Sequence, residues 1–261
     1  MKIFYLLSPL FLALSLAFFT PLFSSYDPHF GDINAIYIAP NLKHILGTDM
    51  LGRDLFTRIL YGIKTSFFIG LLSSFLTLVL ALFYVFVARL FFYTFFMRLL
   101  DMFLALPFLL LMMFFSGFMR GNDLSMILII ALTHWSFVAK LFASELKRLE
   151  NLEFYQAALV LGSTKTRAFF KDLLPPCFSL LSVLFVLNIV HAISTEATLS
   201  FFGLGLDFEI ASLGNILNEA SKAVFIGAWW IVLYPLLALL ILILPLLALS
   251  AYLRKYFGVS L

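Results

Sequence analysis

The stretch EFYQAALVLGSTKTRAFFKDLLPP, residues 153–176, lies between two apolar runs that are each long enough to cross a bilayer. Its own pattern reads as two short helices joined at a glycine. Gly162 can take the left-handed conformation that ends a helix, and Ser163 or Thr164 can cap the next one. Leu149, Leu152, Tyr155 and Leu159 recur at three- or four-residue spacing, which predicts an apolar face along residues 146–161. The second helix carries Lys165, Arg167 and Lys171 among Ala168, Phe169 and Phe170, and is expected to stop at Leu174, Pro175 and Pro176. Helices this short are marginal alone, so they need a surface to pack against. A hairpin lying on the membrane interface and a helix pair that binds a partner protein share this amphipathic signature, and pattern alone leaves both readings open.

The runs on either side set the class. Of 261 residues, 63% are hydrophobic and only 12% charged, with a mean hydropathy of +1.08, whereas soluble domains carry about a quarter charged residues. This composition implies an all-α integral membrane protein. Apolar runs predict six spans near residues 3–23, 66–88, 99–118, 124–143, 177–202 and 226–253. Residues 1–65 read as an N-terminal membrane anchor with an external segment, and residues 66–261 as the transmembrane domain carrying the loop 144–176. The first run is longer than the apolar core of a signal peptide and lacks a clear small-x-small cleavage site, so an uncleaved anchor is expected. Pro107 should bend the third span, and Pro235 and Pro245 should tilt or kink the last.

Placing both termini in the cytoplasm puts eleven of the 17 Lys and Arg residues inside, leaving Lys43, Arg53, Arg58, Lys64, Arg120 and Lys222 outside. The loop 144–176 then becomes the largest cytoplasmic segment. The lone Cys177 excludes an internal disulfide, and no basic cluster interleaved with aromatics suggests nucleic acid.

The order QAA-x3-G-x9-D-L-L-P, from Gln156 through Gly162 to Pro175, resembles the EAA-x3-G-x9-I-x-L-P loop of binding-protein-dependent ATP-binding-cassette importer permeases. LGTDMLGRDLFTR (46–58), LALPFLLL (104–111), TEATLSFFGLGL (195–206) and GNIL (214–217) are similar to the second permease of dipeptide, oligopeptide and nickel importers. The resemblance implies a type I importer permease of the bacterial inner membrane that forms half of a translocation pathway for dipeptides or oligopeptides, with nickel or a nickel chelate as the alternative. Its implied partners are a homologous second permease, two ATPase subunits that hold ATP-Mg, a periplasmic or extracellular solute-binding protein, and membrane lipid. The chain itself would hold no cofactor. The opening loop would be a coupling helix seated on an ATPase, using Glu153, Gln156, Ala157, Ala158, Gly162, Phe169, Leu174 and Pro175. The external motif would comprise Gly47, Thr48, Asp49, Gly52, Arg53, Asp54 and Arg58, near the docking surface for the binding protein. Two positions depart from the pattern. Gln156 stands where the family has glutamate, and Asp172 lies near the isoleucine position.

Within the spans, Asn188, His191 and Thr195 fall on one helical sector, with Glu196 about 80° from Asn188. Ionisable groups are costly there, so this sector should face the bundle interior or an aqueous cavity. A pathway wall and an interhelical hydrogen-bond cluster satisfy that demand equally. Arg98 with Asp101 and Asp54 with Arg58 are spaced to pair along helices, and Glu219 reads as exposed. A membrane-embedded enzyme or a self-sufficient channel are the other classes. The four histidines read as scattered singly, no H-E-x-x-H or G-x-S-x-G occurs, and GSTKT at 162–166 lacks phosphate-loop spacing. No catalytic residue, metal-ligand set or nucleotide site is therefore expected.

Overall fold

A computed structural model of the chain describes residues 2–119 and 121–259, so Arg120 and Ser260 lie outside the described residues. The helices are α1 (Lys2–Phe18), α2 (Thr20–Phe23), α3 (Leu55–Leu90), α4 (Tyr93–Leu104), α5 (Phe108–Phe118) and α6 (Asp123–Glu150). There follow α7 (Glu153–Val160), α8 (Lys165–Ala168), α9 (Leu174–Phe201), α10 (Leu213–Ala223) and α11 (Trp230–Phe257). A π-helical turn, Phe169–Leu173, joins α8 to α9.

Four helical segments, Leu55–Leu90, Asp123–Glu150, Thr166–Phe201 and Trp230–Phe257, are long and apolar enough to cross a bilayer. The six expected spans need three corrections. The third is broken, because α4 and α5 meet at 88°. Pro107 causes this: its φ of −60° is fixed and it disfavours helix at Leu106, so the chain leaves α4 and restarts at α5. The first run forms α1 and the single turn α2 rather than one full span; at about 1.5 Å per residue, α1 falls short of a hydrocarbon core roughly 30 Å thick. It packs on α3 and α11 through Leu10, Ala13 and Ala17. The second span also starts earlier than residue 66. Asp54 caps α3, its carboxylate accepting the Thr57 N–H at 2.9 Å, so residues 55–65 belong to the helix.

α3 lies at the centre, against α6, α9, α1 and α11. Its buried Ser66, Ser73, Ser74 and Thr77 are small enough to let helices approach closely. Ser73 and Ser74 return their hydroxyl protons to the Ile69 and Gly70 carbonyls, each at 2.6 Å, so neither of these two donors is stranded in the bundle. Pro235 and Pro245 both lie inside α11, which continues through them. Asp101 pairs with Lys140 of the adjacent α6 at 2.5 Å rather than with Arg98 on its own helix.

Candidate functional site

Three regions gather the residues singled out in the sequence. At one end of the bundle stands the hairpin. α6 ends at Glu150 and turns at Asn151–Leu152 before α7 begins, so residues 146–161 are two helices and not one. The turn splits the expected apolar face. Leu149 and Tyr155 are buried in the core, whereas Leu152 and Leu159 are exposed. Gly162 follows α7 with φ of +91°, a left-handed conformation that a residue with a Cβ adopts at a cost. The Ser163 N–H donates to the Ala158 carbonyl at 3.1 Å, closing the helix end. The expected stop at Leu174–Pro176 does not occur. The Leu174 N–H reaches back to the Phe169 carbonyl, and this wider π turn carries the chain into the first turn of α9, where missing proline N–H groups cost nothing.

Within the hairpin, Phe169 and Leu173 are buried and Leu174 is half-buried, while Glu153, Gln156, Ala157, Gly162 and Pro175 are exposed and Ala158 is intermediate. Phe86 of α3 contacts the rings of both Phe169 and Phe170, with centroids 5.1 and 5.2 Å away. The Gln156 amide donates to the Glu150 carbonyl at 2.8 Å, tying α7 to the end of α6. The tip is apolar and bare: Val160 is 88% and Leu161 86% exposed.

The opposite end is covered by residues 24–54, the 203–212 loop and α10. Here Asp49, Arg53 and Arg58 of the external motif meet Glu219, which is buried and not exposed as its local sequence suggests. Arg53 Nε donates to Asp49 Oδ2 at 2.7 Å and its Nη2 to Glu219 Oε1 at 2.8 Å. Arg58 is fully buried and donates to Asp49 Oδ2 at 2.5 Å and Glu219 Oε2 at 2.6 Å. Two cations thus balance two anions. The Asp54–Arg58 pairing does not form, because the Asp54 carboxylate caps α3 and meets His44 Nδ1 at 2.9 Å. Thr48 accepts the Ile38 N–H at 2.8 Å and donates to the Ala35 carbonyl at 2.5 Å, while the Gly47 carbonyl accepts the Leu55 N–H at 3.0 Å. Gly52 has φ of +73°, and a Cβ there would stand 1.9 Å from the Asp32 carbonyl oxygen. Burial raises the Tyr37 phenol above the usual tyrosine range, and the carboxylates of Asp49 and Glu219 push it further the same way.

Between the two ends, a cavity of about 330 Å³ opens at the α4–α5 bend. Asn188, His191 and Thr195 line it, as their spacing suggests, together with Phe103, Phe108, Phe137 and His134. His134 was not apparent from the sequence, because nothing in its local pattern distinguishes it. It lies with its Nδ1 3.1 Å from Asn188 Oδ1 and its Nε2 3.3 Å from Thr195 Oγ1. The His134 and His191 rings are 6.4 Å apart, so these two histidines are neighbours rather than scattered. Glu196 does not join them. It is fully buried on the side towards α3, where Ser66 Oγ donates to Oε2 at 2.7 Å and Ser200 Oγ to Oε1 at 3.0 Å.

Residues 76–258 match the family model described as binding-protein-dependent transport system inner membrane component. The dipeptide transport system permease protein DppC of Bacillus subtilis (strain 168) is 29% identical over 204 residues, covering 76% of this chain and 63% of the relative. The oligopeptide transport system permease protein OppC of the same organism is 29% identical over 227 residues, covering 84% of this chain and 72% of the relative. One chain in a structure of inward-facing conformations of the MetNI methionine ABC transporter (CY5 native crystal form) superposes with a TM-score of 0.63 at 16% identity, covering 76% of this chain and 95% of that one, which shows a shared fold. With most of the chain matched by one family model, the protein belongs to the inner-membrane components of binding-protein-dependent transport systems and is a permease subunit of an ABC importer of the peptide family, a transport component rather than an enzyme.

Proposed function

We propose that this permease carries dipeptides or oligopeptides inward across a bacterial inner membrane, driven by ATP bound and hydrolysed on two partner ATPases. It would form half of the pathway beside a homologous permease and receive solute from a periplasmic or extracellular binding protein at the capped end. Both termini and the hairpin would face the cytoplasm. The observation that carries this reading is the hairpin. Val160 and Leu161 are large apolar side chains exposed at its tip, and α7 is tied to α6 by the Gln156 amide, so an anchored element presents an apolar surface to something outside the chain. An ATPase groove is the partner we assign to it.

The dipeptide and oligopeptide permeases among its relatives support peptides as cargo. The donor set lends less support to nickel, because both ring nitrogens of His134 are already engaged by Asn188 and Thr195.

The test uses Gly162→Val and Ala158→Arg at matched membrane abundance. Gly162 has open space around it, so valine acts there through the backbone alone and redirects α8. Arginine at 158 acts on the surface of α7. Both variants are expected to lose ATPase copurification or ATP-dependent peptide uptake, with the spans still inserted. A hairpin that merely lies on anionic lipid would tolerate Ala158→Arg. If both variants keep the ATPase and transport normally, the hairpin is not the coupling element.

A further inference from the structure

We propose that the cavity at the α4–α5 bend is a ligand-contact site within the membrane, in which Asn188 donates to a carbonyl or carboxylate oxygen of the passing peptide while phenylalanines hold an adjacent apolar side chain. The inference rests on the peptide reading above and names where this chain meets its cargo.

The oxygen of an amide only accepts, so a His134 Nδ1 placed 3.1 Å from Asn188 Oδ1 must carry its proton. The other nitrogen, Nε2, then accepts from the Thr195 hydroxyl at 3.3 Å. Both ring nitrogens are thereby used, and the Asn188 amide is held with its oxygen towards His134. Its Nδ2 is left buried, with no acceptor among the described residues. A purely structural bridge between α6 and α9 would satisfy both ends of the amide, since a stranded buried donor keeps its full desolvation penalty. The stranded atom belongs to a residue that lines the cavity. What completes it is an acceptor.

The rest of the wall narrows the ligand further. Phe103, Phe108 and Phe137, with Leu104, Leu106 and Leu111, give it a large apolar share, and the Phe108 ring lies 4.7 Å from that of His134. His191, one turn beyond Asn188 and exposed, stands at the same wall. A volume of about 330 Å³ is in the range of small-molecule sites, roughly 300–1,000 Å³. An oxygen acceptor beside an apolar group is the chemistry of a short peptide. A bare divalent cation fits poorly, because it would find one imidazole free rather than a set of ligands.

The experiment uses the assembled importer in proteoliposomes and two radiolabelled probes, dialanine and diphenylalanine. Asn188→Asp keeps the size of the side chain but exchanges the free donor for an acceptor, and Asn188→Leu removes it. Each is expected to lower uptake of both dipeptides about tenfold, the scale of one lost hydrogen bond, with ATPase copurification retained. Phe108→Ala is expected to lower diphenylalanine uptake more than dialanine uptake. Independently, a thiol reagent should modify His191→Cys, and saturating dipeptide should slow that modification; the native Cys177 is buried and stays silent. If the wild-type importer moves neither dipeptide, the peptide reading fails. If it moves both and the two Asn188 variants match it, or if dipeptide leaves the labelling of position 191 unchanged, the contact site is wrong. Should the Asn188 variants fail to assemble, the labelling result decides alone.

Discussion

Glu219 and Glu196 lie under the same capped end of the bundle, yet their surroundings make them unequal. Glu219 neutralises two arginines, one of them fully buried. Replacing it by glutamine leaves Arg53 and Arg58 with Asp49 alone, and an unbalanced buried charge costs about 3–5 kcal/mol. Glu196 receives the hydroxyls of Ser66 and Ser200, with Ser212 a further serine partner, and no cation among the described residues pairs with it. Glutamine there keeps an oxygen that can accept, whereas leucine strands Ser66 and Ser200 at a cost of about 1–3 kcal/mol. We expect thermal unfolding in detergent to rank the losses Glu219→Gln first, Glu196→Leu second and Glu196→Gln last. An unchanged melting temperature in Glu219→Gln would show that the ion cluster does not hold the cap to α10. The local sequence suggests the opposite weighting, since Glu219 sits in a polar stretch and Glu196 in an apolar one. Arg53 and Glu219 come together over 166 positions of chain, a separation that no local period reports.

At the scale of elements, the hairpin is shaped by how α6 ends. Its last carbonyls point out of the helix with the negative end of the dipole, and the Gln156 amide supplies a donor to one of them. A glutamate at this position would accept only. Gln156→Glu should therefore loosen α7 from α6 by about 1 kcal/mol, one hydrogen bond with some repulsion. Amide hydrogen exchange should quicken over residues 153–160 and stay unchanged in α9. Equal exchange in both proteins would mean that this bond does not fix the hairpin. The junction to α9 shows why two prolines misled the pattern. Pro175 and Pro176 end a helix read in isolation, but after a π turn they occupy its first positions, where no intrahelical N–H is required.

For the whole molecule, the capped end and the hairpin end stand at opposite ends of α3 and α9, which makes sidedness measurable. Asn41 is exposed at the cap and Leu161 at the hairpin tip. In intact cells, a membrane-impermeant thiol reagent should modify Asn41→Cys and spare Leu161→Cys until the membrane is opened, with buried Cys177 giving no background. Modification of both in intact cells would overturn the proposed orientation. The sequence by itself determined that the chain is a helical membrane protein, that a glycine-centred hairpin interrupts its spans, and that Asn188, His191 and Thr195 share a face. These follow from composition, period and the conformational freedom of one residue, all of them local properties. Only the tertiary structure decided that His134 completes that face, that Asp49, Arg53, Arg58 and Glu219 cancel one another's charge, that Asp54 caps α3 instead of pairing with Arg58, and that Glu196 turns from the cavity towards α3. Each of these is a choice among partners of compatible chemistry. The helix crossings and the fold of the cap make that choice by bringing one of them within hydrogen-bonding distance.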